Sequence, residues 1–181
     1  MSEQLTLIEQ HNLGTFKYSA VNLQSLSGSA EYTLVTLVFD ESQSTADFAH
    51  HMNVVAQEVV KSCRLSPRVD CLLLRVLAFG TTLREVHGFK LLQDCNVADY
   101  ANLYQSHGWT ALYDSSYDAA RANNEFAKKL AEDKYSVNSV IFVMTDGDDN
   151  KSKLKMEQVR EEFSKATSQE YLESCTTLLI G

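Results

Sequence analysis

A chain of 181 residues with 44% hydrophobic and 22% charged residues and a single proline has the composition of one packed globular domain, not of a disordered or fibrous chain. Its formal net charge of -8 excludes the broad basic footprint that phosphates require, so no nucleic acid is expected as a partner. No apolar run approaches the roughly 20 residues of a membrane-spanning helix, and no membrane partner is expected either.

The opening Met1-Ser2-Glu3-Gln4 is acidic and polar, without the basic start and apolar core of a secretory signal. Cys63, Cys71, Cys95 and Cys175 stand far apart with no C-x-x-C pair, which argues against a zinc knuckle or dithiol motif and predicts buried free thiols. Together these features predict a cytoplasmic protein. Residues 1–30 read as an N-terminal extension, a strand or loop packed on a domain spanning 31–181, with S-L-S-G-S-A from Ser25 to Ala30 as its softest stretch.

Tyr32 to Phe39, Y-T-L-V-T-L-V-F, is a nearly unbroken apolar and β-branched run, as expected of a central strand buried on both faces. It ends at Asp40. Phe48, Met52, Val55 and Val59 then recur at helical spacing, so a short polar loop leads into an amphipathic helix. Beyond Pro67, Cys71 to Phe79 forms a second strand, and Leu83 to Leu92 pairs back on it through a turn at Gly80 as the antiparallel edge of the sheet.

From Thr110 onward, Leu112, Ala119, Ala120, Ala127 and Leu130 share one face of a long helix. Ser139 to Thr145 is the next buried strand, ending at Asp146. Met156, Val159, Phe163 and Ala166 mark a third helix before a last strand, Cys175 to Ile180. Strands alternating with amphipathic helices predict an α/β fold: a doubly wound, mostly parallel central sheet with one antiparallel edge strand and helices on both faces. Ligands of such sheets collect beyond the carboxyl ends of the strands, where Asp40 and Asp146 fall.

Asp40-Glu41-Ser42-Gln43-Ser44 is a D-x-S-x-S segment whose alternating spacing converges three oxygen-bearing side chains while Glu41 and Gln43 face elsewhere. Gly108-Trp109-Thr110-Ala111-Leu112-Tyr113-Asp114 supplies a threonine from a second loop, and Met144-Thr145-Asp146-Gly147 an aspartate from a third. These three motifs, in this order, resemble the metal-ion-dependent adhesion site of von Willebrand factor A domains: D-x-S-x-S, G-G-T-x-L-Y-D and T-D-G. The likeness runs from about Tyr32 to the end of the chain. Trp109 stands where the family has its second glycine, and the family's last strand and C-terminal helix find no counterpart before Gly181.

The resemblance implies that Ser42, Ser44 and Thr110 coordinate a divalent cation directly while Asp40 and Asp146 act mainly through bound water. Magnesium is the expected ion, with manganese or calcium as alternatives. Three neutral hydroxyls plus water leave such an ion under-neutralised, so a Glu or Asp from a protein partner replaces one water and completes the shell. The implied function is a metal-dependent protein-interaction module with no catalytic residues, in intracellular assembly or stress response or beside an AAA+ ATPase.

Two other readings compete. A self-assembling subunit would pair a free sheet edge with a neighbour, unless Phe16 to Leu26 covers that edge. A metal-dependent phosphohydrolase would use Asp40 as nucleophile, but such enzymes carry a second aspartate where this chain has Ser42. Around these motifs, Asp148-Asp149-Asn150 reads as an exposed acidic loop, His50-His51 as a solvated helix face, and His107 as packed or solvent-exposed. Trp109 reads equally as a partner-contacting anchor or as a shield over the sheet.

Overall fold

The structure, a computed structural model, describes residues 7–14, 16–26, 29–106, 108–168 and 170–181, without the side chains of Ala166 and Thr167. His107 and Met1 to Gln4 fall outside the described residues, as do Ser27 and Gly28 of the soft stretch before the domain. The chain forms strands β1 (Ile8–Leu13), β2 (Phe16–Val21), β3 (Glu31–Asp40), β4 (Leu72–Phe79), β5 (Leu83–Leu91), β6 (Ser136–Met144) and β7 (Ser174–Ile180). Helices α1 (Ala49–Arg64), α2 (Leu112–Glu132) and α3 (Met156–Ser168) connect them.

The seven strands form one sheet in the order β1-β2-β5-β4-β3-β6-β7. β3 lies between β4 and β6 and is parallel to both, while β5 runs antiparallel to β4. Alternation along β3 sorts the two layers, since neighbouring side chains on a strand point to opposite faces. Val35, Leu37 and Phe39 pack with Ala56 and Val60 of α1. Leu34 joins Ala122, Phe126, Ala127 and Leu130 of α2, and Val38 joins Ala119 on the same side. The mostly parallel α/β sandwich expected from the hydrophobic pattern is therefore present.

β5 is antiparallel as expected, yet it is not an edge. β2 pairs with it in parallel at Ala20 and Phe89, and β1 adds an antiparallel margin outside β2. The Phe16 segment thus lies beyond β5 and does not cover the free edge for which it was considered, because β7 stands at the opposite margin. The approach of β2 depends on Gly88, where a Cβ would lie 2.0 Å from the Ser19 carbonyl oxygen.

Within the apolar run of β4 sits Arg75, which is 0% exposed. Its Nε donates to Glu85 Oε2 at 2.9 Å and its Nη2 lies 2.8 Å from the same oxygen. The guanidinium is also stacked against Phe16 and Phe89, each 5.5 Å to the ring centre, and Tyr18 at 5.9 Å. Glu85 Oε1 accepts from the Ser19 backbone N–H at 2.9 Å, so one ion pair bonds β4, β5 and β2 together. A buried charge persists only where it is paired in this way.

The four cysteines are free thiols, but only Cys95 is buried and the other three are half-buried. On β5, His87 Nδ1 lies 2.8 Å from the Gly88 carbonyl and Nε2 lies 2.8 Å from the Tyr100 hydroxyl. These partners fit a neutral imidazole that donates from Nδ1 and accepts at Nε2. Burial pushes its pKa down from 6.5 to about 4.

The folded state therefore resists a proton that the unfolded chain accepts. This contribution is complete above pH 6.5, declines as pH falls toward about 4, and is flat below that. At full burial the shift is worth about 3 kcal/mol, and partial exposure of His87 reduces it to about 2 kcal/mol. Urea titrations between pH 7 and pH 4 should show the wild type losing about 2 kcal/mol more than His87→Gln. Parallel losses in the two proteins would contradict a neutral buried His87.

Candidate functional site

β3 ends because Asp40 turns the chain: its Oδ1 accepts the Ser42 N–H at 2.8 Å, an Asx-type turn that competes with further ladder bonds. A 3₁₀ helix, Gln43–Phe48, then leads into α1. The Thr45 hydroxyl fastens the turn from inside, 3.0 Å from the Asp40 carbonyl and 2.9 Å from that of Ser42. The Tyr104 hydroxyl also donates to the Ser42 carbonyl, at 2.9 Å.

Glu41 faces away from its neighbours, as the alternation predicts, but it is only 3% exposed and makes bonds of its own. Its Oε1 accepts from Arg84 Nη2 at 2.5 Å and from the Gln105 N–H at 2.9 Å, anchoring the segment that leads to the second loop.

In that loop Gly108 has φ +69, and a Cβ there would meet the Thr81 hydroxyl oxygen at 2.1 Å, so conformation and space both demand glycine. The Gly108 carbonyl accepts the Gln43 N–H at 3.2 Å, joining the second loop to the first. Trp109 N–H donates to Thr81 Oγ1 at 3.0 Å, and the Ala111 N–H to the Gly80 carbonyl at 3.0 Å. The Trp109 ring itself is 62% exposed and so does not act as a shield over the sheet.

The third loop joins the first through Thr145, whose hydroxyl donates to Asp40 Oδ2 at 2.6 Å and accepts from the Gly147 N–H at 3.1 Å. It joins the second through Asn150, whose Oδ1 accepts the Thr110 N–H at 2.9 Å. In return, the Asn150 and Lys151 N–H groups reach the Thr110 carbonyl at 3.0 and 3.1 Å. Asp149 Oδ1 accepts from Ser152 Oγ at 2.5 Å and faces the Tyr113 N–H at 3.4 Å. The Asp148-Asp149-Asn150 stretch is thus more than an exposed acidic loop, because Asp149 and Asn150 fasten it to the start of α2.

Of the residues singled out by sequence, Asp40, Ser42 and Thr110 are buried and Ser44 and Asp146 are exposed. Ser42 Oγ and Ser44 Oγ lie 3.0 Å apart. The Thr110 hydroxyl and the Asp146 carboxylate form no hydrogen bond with the serines or Asp40, although their loops are bonded together. Thr145 and Glu41 lie within the quoted motifs but were given no bonding role, Asn150 was read only as part of an acidic loop, and Tyr104 carried no signal in the sequence.

Among the described residues no group of three or more His, Cys, Asp or Glu side chains is placed to hold a metal ion. The donors of the three motifs are of another kind, with the hydroxyls of Ser42, Ser44 and Thr110 outnumbering the carboxylates of Asp40 and Asp146. Adjacent ligands of an octahedral magnesium ion at about 2.0–2.1 Å stand about 2.9 Å apart. The serine hydroxyls are hydrogen-bonded to each other at 3.0 Å, a separation that is also compatible with that spacing.

No family model and no curated protein matches the chain. Solved structures do. The manganese-loaded TRAP protein of Plasmodium vivax is 20% identical with a TM-score of 0.52, over 84% of this chain and 58% of that one. The open conformation of the pilus adhesin SpaC from Lactobacillus rhamnosus GG is 11% identical with a TM-score of 0.52, over 82% and 20%. Proximal thread matrix protein 1 of the mussel byssus is 19% identical with a TM-score of 0.51, over 83% and 36%.

The chain thus spans less than two thirds of each of these proteins. What it shares with them is the fold, a mostly parallel α/β sheet with helices on both faces, of the kind that the resemblance to von Willebrand factor A domains implied. The cytoplasmic expectation is overturned by the same comparison, because a pilus adhesin and a byssal thread protein work outside the cytosol. That expectation rested on N-terminal charge and cysteine spacing, and neither reports a compartment.

Thr145→Val keeps the shape of a 3% exposed side chain but strips the Asp40 carboxylate of its hydroxyl donor. Urea unfolding should show a loss of about 1–3 kcal/mol, with Thr145→Ser close to wild type. Equal stability of Thr145→Val and wild type would contradict the bridge between the first and third loops.

Proposed function

We propose that this chain is a non-enzymatic protein-interaction module that works through a divalent cation. Ser42, Ser44 and Thr110 would coordinate the ion, and Asp40 and Asp146 would act through bound water. When bound, the ion supplies a positive centre that accepts a Glu or Asp side chain from a partner. Magnesium is the preferred ion, with manganese or calcium as alternatives.

One observation supports the reading: the Ser42 and Ser44 hydroxyls stand 3.0 Å apart, a spacing that suits neighbouring ligands of one ion, on a loop whose backbone is bonded through Gln43 and Gly108 to the loop that carries Thr110. A platform ordered before binding loses little entropy when ligand arrives. The manganese in the TRAP neighbour supports a divalent ion for this fold. The adhesin and byssal neighbours favour adhesion or assembly over the ATPase-linked work that the resemblance implied.

Phosphoryl transfer fits poorly. Such enzymes carry a second aspartate two residues after the nucleophile, where this chain has Ser42, whose hydroxyl is hydrogen-bonded to that of Ser44. A self-assembling subunit has one specific support, the exposed Leu178, Leu179 and Ile180 on β7 at the sheet margin.

Titration with manganese or magnesium should raise the unfolding temperature progressively, because a ligand that binds only the native state stabilises it. Ser42→Ala and Thr110→Ala should abolish the rise while leaving the metal-free transition within about 1 kcal/mol of wild type. The same rise in both variants would contradict the assignment. Light scattering of the wild type with and without ion separates a monomeric module from a self-assembling subunit.

A further inference from the structure

The end of the sheet that carries the three loops also carries two exposed aromatic residues, Trp109 at 62% and Phe48 at 54%. Strand order sets them apart. Trp109 is bonded to Thr81, in the turn that follows β4. Phe48 lines a cavity of about 360 Å³ with Met52, Val55, Met144, Asp146 and Ile180, on the β6 and β7 side. β4 and β6 flank β3, so the two aromatic features lie on either side of the Asp40 loop.

Strand spacing of about 4.8 Å puts the ends of β4 and β6 about 10 Å apart. In an extended peptide, side chains on one side recur about every 6.8 Å, so residues two before and two after a central position are about 13–14 Å apart. The cavity is walled mainly by apolar side chains and its volume accommodates a leucine-sized group. Trp109 is held by a pinned loop rather than a loose one, which makes it a preorganised contact.

Charge narrows the ligand further. Asp146 and Asp148 are exposed beside the centre, and the whole chain is acidic, so additional carboxylates flanking the central one would meet repulsion.

Resting on the cation reading above, we propose that the partner presents an extended segment of the pattern apolar-x-acid-x-apolar. Its central carboxylate meets the ion, one apolar side chain covers Trp109, and the other enters the Phe48 cavity.

Trp109 is the only tryptophan in the chain, so its emission reports contact directly. The probe is the blocked peptide GSLSDSLSG, titrated into the full chain with manganese or with chelator. A second peptide replaces the aspartate by asparagine, and a third replaces both leucines by serine.

With manganese, the first peptide should shift Trp109 emission to the blue in a saturable way, and the asparagine peptide should not. The serine peptide should bind at least about tenfold more weakly. By anisotropy of a labelled peptide, Phe48→Ala and Trp109→Ala should each cost a similar factor while keeping the manganese-induced rise in unfolding temperature. Equal affinity for the leucine and serine peptides, or no peptide binding despite that rise, overturns the apolar bracket and leaves the cation reading intact. Absence of any manganese effect on the wild type overturns both.

Discussion

The Asp40 carboxylate sits at the end of the central strand with no exposure to solvent, and each of its oxygens has a fixed donor. Oδ1 takes the Ser42 N–H and Oδ2 takes the Thr145 hydroxyl. A carboxylate removed from water is tolerated only with such partners, so the fold must bring the first and third loops together to keep it. The second loop joins them through backbone bonds, Gln43 to Gly108 and Thr110 to Asn150. The whole platform follows from where β3 ends and how that end is satisfied.

Much of this was legible from residue order. The apolar runs at Tyr32, Cys71 and Ser139 gave strands within a few residues of their observed limits, because strands buried on both faces leave an unbroken hydrophobic trace. The helical periodicities gave α1, α2 and α3 for a similar reason. The three loop motifs were visible as short polar segments at the ends of buried strands or the start of a helix, in the order that the resemblance to von Willebrand factor A domains implies.

The rest was hidden because it depends on contacts between distant segments. Arg75 looks like an interruption of an apolar strand until Glu85 and the rings of Phe16, Tyr18 and Phe89 are placed around it. The short β1–β2 hairpin has weak periodicity, and its site of attachment is set by Gly88 and Glu85 on β5, far along the chain. Thr145 and Asn150 hold loops that they neighbour in space, a role that spacing within a motif does not encode. Trp109 had two readings by sequence, and its exposure is set by how its loop is tied to Thr81 and Gly80, which the motif does not encode.

Rigidity and openness are divided cleanly across this end of the sheet. Backbone groups and buried side chains hold the loops, while the Ser44, Asp146, Trp109 and Phe48 side chains face outward. Such a division suits recognition, where a preformed surface limits the entropy lost on association. The most direct measurement is diffraction from crystals grown with manganese, with data collected at the manganese absorption edge. A single anomalous peak within bonding distance of the Ser42, Ser44 and Thr110 hydroxyls is the expected result. A peak elsewhere, or none with these three loops ordered, would contradict the cation reading.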